Sequence, residues 1–132
     1  IATNVYGEKT AVIQVKTRRD IGADKGWHMK SKHEAMMSDK MFYCFVDLHE
    51  DETRLPTVFI IPSKVVAKAL QETHNVWLNT LGRGGKSHQA TEMRRLLPDY
   101  SRVLKLSGDL LLRYGKNWIE PYKENWKALG LD

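Results

Sequence analysis

Apolar and polar positions divide this chain into short strands followed by longer helical stretches. Residues 1–6 and 10–17 are apolar segments separated by Gly7-Glu8-Lys9, a spacer short enough for a β-hairpin with glycine at the turn. Residues 18–26 form a polar loop containing Gly22 and Gly26, and a helix is expected over residues 30–38. The run 41–48, Met-Phe-Tyr-Cys-Phe-Val-Asp-Leu, is continuously apolar and rich in aromatic and β-branched types, as a central strand buried on both faces would be. A charged turn at 49–56 leads to a further strand at 57–61, and Pro62-Ser63 then opens a helix with Ser63 as its expected N-cap. In that helix Val66, Leu70, Thr73 and Trp77 recur at helical spacing, with Lys64, Lys68, Gln71 and Glu72 on the outer side. Residues 81–90 read as a glycine-rich basic loop, and 101–114 and 118–129 as two further helices.

The order of these elements predicts an α/β sandwich with a mixed sheet. The connection between strands 10–17 and 41–48 is long enough for a crossover, which allows those two strands to run parallel. At 132 residues the chain suits one domain with one core. Charged residues make up 28% and hydrophobic residues 42%, a balance that argues against wholesale disorder. The formal net charge of +5 makes a polyanionic partner, DNA above all, a reasonable expectation; solubility alone is the plainer account of the same charge. The lone Cys44 can form no internal disulfide and rules out cysteine-based zinc clusters, so a reducing, cytoplasmic setting is expected and Cys44 itself should be inert core. No apolar stretch approaches the roughly 20 residues of a membrane span. The first residue is Ile rather than Met, which leads us to expect a fragment or a processed form.

Candidate chemistry concentrates in strand 10–17. Gln14 and Lys16 are two apart and so project from one face of a strand otherwise made of Ala11, Val12, Ile13 and Val15. An unpaired buried ammonium costs several kcal/mol or loses its charge. Lys16 is therefore either an edge lysine that reaches solvent and guards against strand pairing, or part of a phosphodiester-processing site. Arg18, Arg19, Lys25, Lys30 and Lys32 surround it in sequence and would suit phosphate positioning, with a solvated charged face as the alternative. Asp20, Asp24 and Glu34 are the nearby carboxylates. Trp27 is expected to seal the core rather than stack on a base. None of the five histidines pairs with another at metal-ligand i, i+4 spacing, and Gly82-Arg-Gly-Gly85 does not make a phosphate-binding P-loop. Trp118, Tyr122 and Trp126 recur every four residues, an aromatic stripe expected to pack on the sheet or on a second copy of the chain in a homodimer.

A hairpin followed by a Q-x-K strand, a crossover helix and an apolar strand resembles the core of the PD-(D/E)XK nuclease-like superfamily, with Gln14 in place of Glu as in its Mrr-like branch. The stretches Ile1-Ala-Thr-Asn4, Ile13-Gln-Val-Lys-Thr17, Phe45-Val-Asp-Leu48, Ile60-Ile-Pro-Ser63, Met93-Arg94 and Asn125-Trp126 are similar to a group of small bacterial proteins within it. The resemblance implies a restriction-endonuclease-like three-layer sandwich over residues 1–132, with its N-terminal helix and first ligand strand lying upstream of Ile1. It further implies Mg²⁺-dependent DNA phosphodiester hydrolysis of restriction or repair type. Lys16 would then stabilise developing charge or orient water, Gln14 and the Val15 carbonyl would help hold Mg²⁺, and a metal-binding Asp upstream of Ile1 would be the main anchor. Residues 1–6 contain no carboxylate, and a neutral amide is a poor substitute for one on a hard cation. Two further readings therefore stand beside the enzyme: a non-catalytic nucleic-acid-binding module, and a structural domain in which Gln14 and Lys16 are relics.

Overall fold

The computed structural model describes residues 1–19 and 26–132. Its centre is a mixed four-stranded sheet in the order β1 (Ala2–Thr3), β2 (Thr10–Arg18), β4 (Met41–Asp47), β5 (Thr57–Pro62), while β3 (Trp27–Lys30) and β6 (Met93–Leu96) make a separate antiparallel ribbon. β1 and β2 form the hairpin, closed by Gly7 at φ 70° and by the Asn4 Oδ1, which accepts from the backbone N–H groups of Glu8 and Lys9. The hairpin is shorter than the apolar pattern suggested, because only Ala2 and Thr3 pair with β2, at Ala11 and Thr10. Strands β2 and β4 are parallel, from Val12 beside Met41 to Arg18 beside Asp47, and β5 is antiparallel to β4.

Each face of this sheet carries an apolar cluster. On one face Tyr43, Phe45, Phe59 and Ile61 pack with Trp27, Met29 and Leu96 of the ribbon and with Val66 and Leu70 of α1 (Ser63–Leu78). On the other, Ala11, Phe42, Cys44 and Ile60 meet Ala128, Leu129 and Leu131 near the C-terminus. Cys44 is thus buried, and burial together with nearby Glu124 pushes its thiol pKa up, the opposite of a reactive thiolate. In α1, Val66, Leu70 and Thr73 are buried and Trp77 half-buried, while Lys64, Lys68 and Gln71 face solvent. Among the described residues, no helix is long and apolar enough to cross a membrane.

The crossover departs from the expected helix at 30–38. Its first part is β3, in which Trp27 and Met29 are buried and His28 and Lys30 exposed, a strand alternation; only a 3-10 turn, Ser31–Glu34, follows. Ser63 does not cap α1. Its hydroxyl donates to the Ser38 carbonyl at 2.9 Å and accepts from the Ser38 N–H at 3.0 Å, tying the crossover to the helix start. The helix expected over 101–114 shrinks to α2 (Gly108–Tyr114), preceded by a 3-10 turn at Tyr100–Arg102. The one expected over 118–129 is replaced by 3-10 turns at Glu120–Tyr122 and Trp126–Leu129, between which Glu124 takes φ 51° and its N–H donates to the Val58 carbonyl at 2.9 Å. The aromatic stripe therefore does not exist as one helix face. Trp118 packs against Tyr100 and Tyr114 and donates its indole N–H to the Leu97 carbonyl at 2.7 Å, whereas Trp126 is 48% exposed.

Candidate nucleic-acid phosphate site

Beyond Ala11, β2 has no strand partner on its β1 side among the described residues, so its second half is an edge of the described sheet. The alternation of the strand sets Gln14, Lys16 and Arg18 on the face that carries Tyr43, Phe45 and Asp47, since in the parallel ladder Gln14 lies beside Tyr43, Lys16 beside Phe45 and Arg18 beside Asp47. Gln14 and Lys16 are both half-buried, and the Val15 side chain is 58% exposed on the opposite face.

The 3-10 turn after β3 brings more cations to Lys16. The Lys16 ammonium has its pKa lowered, first by burial and then by the charges of Lys32 and Lys30, both exposed. Among the described residues none of these three lysines has a carboxylate partner. His33, 1% exposed, belongs to the same group: burial lowers its pKa most, followed by Lys16 and Lys32. Its Nδ1 accepts from the Lys30 N–H at 2.8 Å, which leaves the proton of the neutral ring on Nε2. Among the described residues that Nε2 has no hydrogen-bond partner, and neither does the buried hydroxyl of Tyr43, whose ring meets His33 edge-on at 6.0 Å. Lys16, Lys30 and Lys32 thus gather three ammonium groups at the surface above the buried His33 and Tyr43.

Such a set suits an oxyanion. Mg²⁺ is usually held through one or two carboxylates with waters and substrate phosphates; among the described residues Lys30 and Lys32 are the charges set near Lys16, and no group of three or more His, Cys, Asp or Glu could hold a metal. Glu34, one of the nearby carboxylates, is turned to Arg94 in an ion pair.

The other positions expected to contact nucleic acid are placed differently. Arg18 is drawn inward, its Nη2 donating to Asp47 Oδ2 at 2.9 Å and its guanidinium lying 4.1 Å from the centre of the Trp27 ring. Arg19 is exposed and donates through Nη1 to the His49 carbonyl at 2.8 Å. Lys25 lies outside the described residues, as do Asp20 and Asp24. Trp27, 1% exposed with its indole N–H donating to the Val46 carbonyl at 3.0 Å, is core as expected. His33 and Tyr43 are the two site residues that the sequence reading passed over. Counting alternate positions along Met41, Tyr43, Phe45 and Asp47 from the parallel pairing would have put Tyr43 on the Lys16 face.

The depressed basicity of His33 has a testable sign. The folded ring holds its proton less well than the unfolded one, whose pKa is 6.5. Stability from this group is therefore complete above about pH 6.5 and is lost as pH falls toward the lower folded value. His74, also shifted down, acts in the same direction. Urea midpoints at pH 5 and pH 7.5 should differ in favour of the higher pH, and His33→Gln should narrow that difference; an unchanged difference would show that His33 does not carry it.

Compared with protein-family models, with curated proteins and with solved structures, the chain matches none.

Proposed function

We infer that this domain binds nucleic acid through its phosphates, on a scaffold of the restriction-endonuclease-like type. The observation that carries the reading is the group of Lys16, Lys30 and Lys32, which has no carboxylate partner among the described residues. Like charges held together lower one another's proton affinity, so the cluster stores repulsion that a phosphate relieves. Contacts of this kind supply affinity and register without reading sequence. The nuclease-like scaffold is supported by the hairpin, the Q-x-K strand and its parallel pairing with β4 through a crossover, although that crossover is strand and 3-10 turn rather than helix.

A second reading, metal-dependent cleavage of DNA, is favoured by Gln14 and Lys16 sharing one face of the strand parallel to β4. In it Lys16 stabilises charge developing on the phosphate. Fluorescence anisotropy with a labelled duplex, run beside plasmid nicking in Mg²⁺ or Mn²⁺, separates the two. The binding reading expects salt-sensitive association that Lys16→Glu abolishes, with plasmid left intact. Nicking that disappears in Lys16→Ala would transfer the domain to the nucleases, and failure of duplex and single strand alike to bind would contradict both readings.

A further inference from the structure

The carboxyl ends of the parallel strands β2 and β4 open onto a second, separately built feature. Arg18 closes β2 and Asp47 closes β4, and together with His49, Thr57 and the exposed Arg54 and Lys123 they line a cavity of about 190 Å³. Crevices at the carboxyl ends of parallel strands are where open α/β sheets receive ligands.

Arg18 is the unusual member. Its side chain is 11% exposed, it is held by Asp47 Oδ2 on one side and by the Trp27 ring on another, and its Nε and Nη1 are buried with no acceptor among the described residues. The free donors Nε–H and Nη1 lie on different edges of the guanidinium, so each offers a single charge-assisted contact to a phosphate oxygen rather than a two-point fork. The wall beside it is equally fixed. Asp47 Oδ1 accepts from the His49 N–H at 2.9 Å, and His49, at φ 61°, places Nε2 2.8 Å from the Thr57 hydroxyl. Both Asp47 oxygens are therefore engaged. Glu120 is the other acid on the wall, so Arg18, Arg54 and Lys123 outnumber the carboxylates. The cavity is smaller than the roughly 300–1,000 Å³ usual for drug-sized ligands and suits one compact group.

We propose that this pocket binds a phosphate monoester, with Arg18 as the anchor and Arg54 and Lys123 at the rim. The nearest source is the terminal phosphate of a nucleic-acid strand, because Arg18 follows Lys16 by two residues on the same face of β2; that part rests on the nucleic-acid reading. A free phosphate ester offers the same chemistry.

The test uses inorganic phosphate first, followed through the Arg18 Nε–H resonance by NMR, and then two oligonucleotides that differ only in a 5′-phosphate or a 5′-hydroxyl. A phosphate-dependent shift at Arg18, and binding of the phosphorylated strand at least about tenfold tighter, are expected. Because loss of Arg18 would leave Asp47 buried and unpaired, the variants are the exposed Arg54→Ala and Lys123→Ala; they should weaken the phosphorylated strand more than the hydroxyl strand and so shrink the tenfold preference. A shift at Arg18 with equal binding of the two strands, or with no binding of either, supports the pocket with a free phosphate ester as its ligand; the second of these also defeats the nucleic-acid reading. No shift at Arg18 together with equal binding of the two strands overturns the proposal and leaves the nucleic-acid reading standing.

Discussion

Trp27→Ala is expected to lower stability by about 3–5 kcal/mol, the largest effect of any single substitution considered for this fold. Trp27 is 1% exposed and packs against Phe45 with ring centres 5.2 Å apart and against Phe59 at 6.2 Å, so its removal opens a cavity where the ribbon meets the sheet. Two further losses add to this. The Val46 carbonyl loses the indole N–H that it accepts at 3.0 Å, and Arg18 loses the ring beneath its guanidinium. Domains of this kind have about 5–15 kcal/mol of stability in total, so urea unfolding should show a sharply lowered midpoint at constant slope. Trp27→Phe keeps most of the apolar volume and should cost clearly less. If the alanine variant unfolds at the wild-type midpoint, the ribbon does not dock on the sheet through Trp27.

How much of this arrangement the sequence discloses depends on where tertiary contacts override local pattern. The elements with strong, long-range periodicity are legible: β2, β4, β5 and α1 lie close to where apolar runs and helical spacing put them, and the chain length between β2 and β4 permits the parallel pairing that is found. β3 and β6 are four-residue strands; the strand signal of β3 is the alternation of Trp27 and Met29 with His28 and Lys30, too short to outweigh the helix-like stretch after it. The C-terminal segment shows a four-residue aromatic spacing without a helix. Pro121 sits in its first 3-10 turn, Asn117 and Glu124 adopt positive φ, and the chain is drawn to the edge of β5, where Lys123 bridges Phe59. For the site, the shared face of Gln14 and Lys16 could be read from strand geometry alone. That Arg18 turns inward to Asp47 while Lys30 and Lys32 approach Lys16 could not, because it depends on how the crossover folds back.

The second large effect concerns that cluster. Each lysine that neutralises a phosphate contributes about 0.9 to the slope of log K against log salt on duplex DNA, so three of them contribute about 2.7. Over a change from about 50 to 200 mM salt this corresponds to roughly fortyfold in affinity. The substitutions should leave the fold intact, since Lys30 and Lys32 are exposed and Lys16 is half-buried at a sheet edge; removing three mutually repelling charges relieves strain rather than creating it.

The most direct measurement is therefore the salt dependence of duplex binding by the wild-type chain and by a Lys16→Ala, Lys30→Ala, Lys32→Ala variant whose folding is checked by its urea midpoint. A wild-type slope that falls by about 2.7 in a folded variant is the predicted result. A folded variant with the same slope and the same affinity as wild type would contradict the assignment of these lysines to phosphate binding.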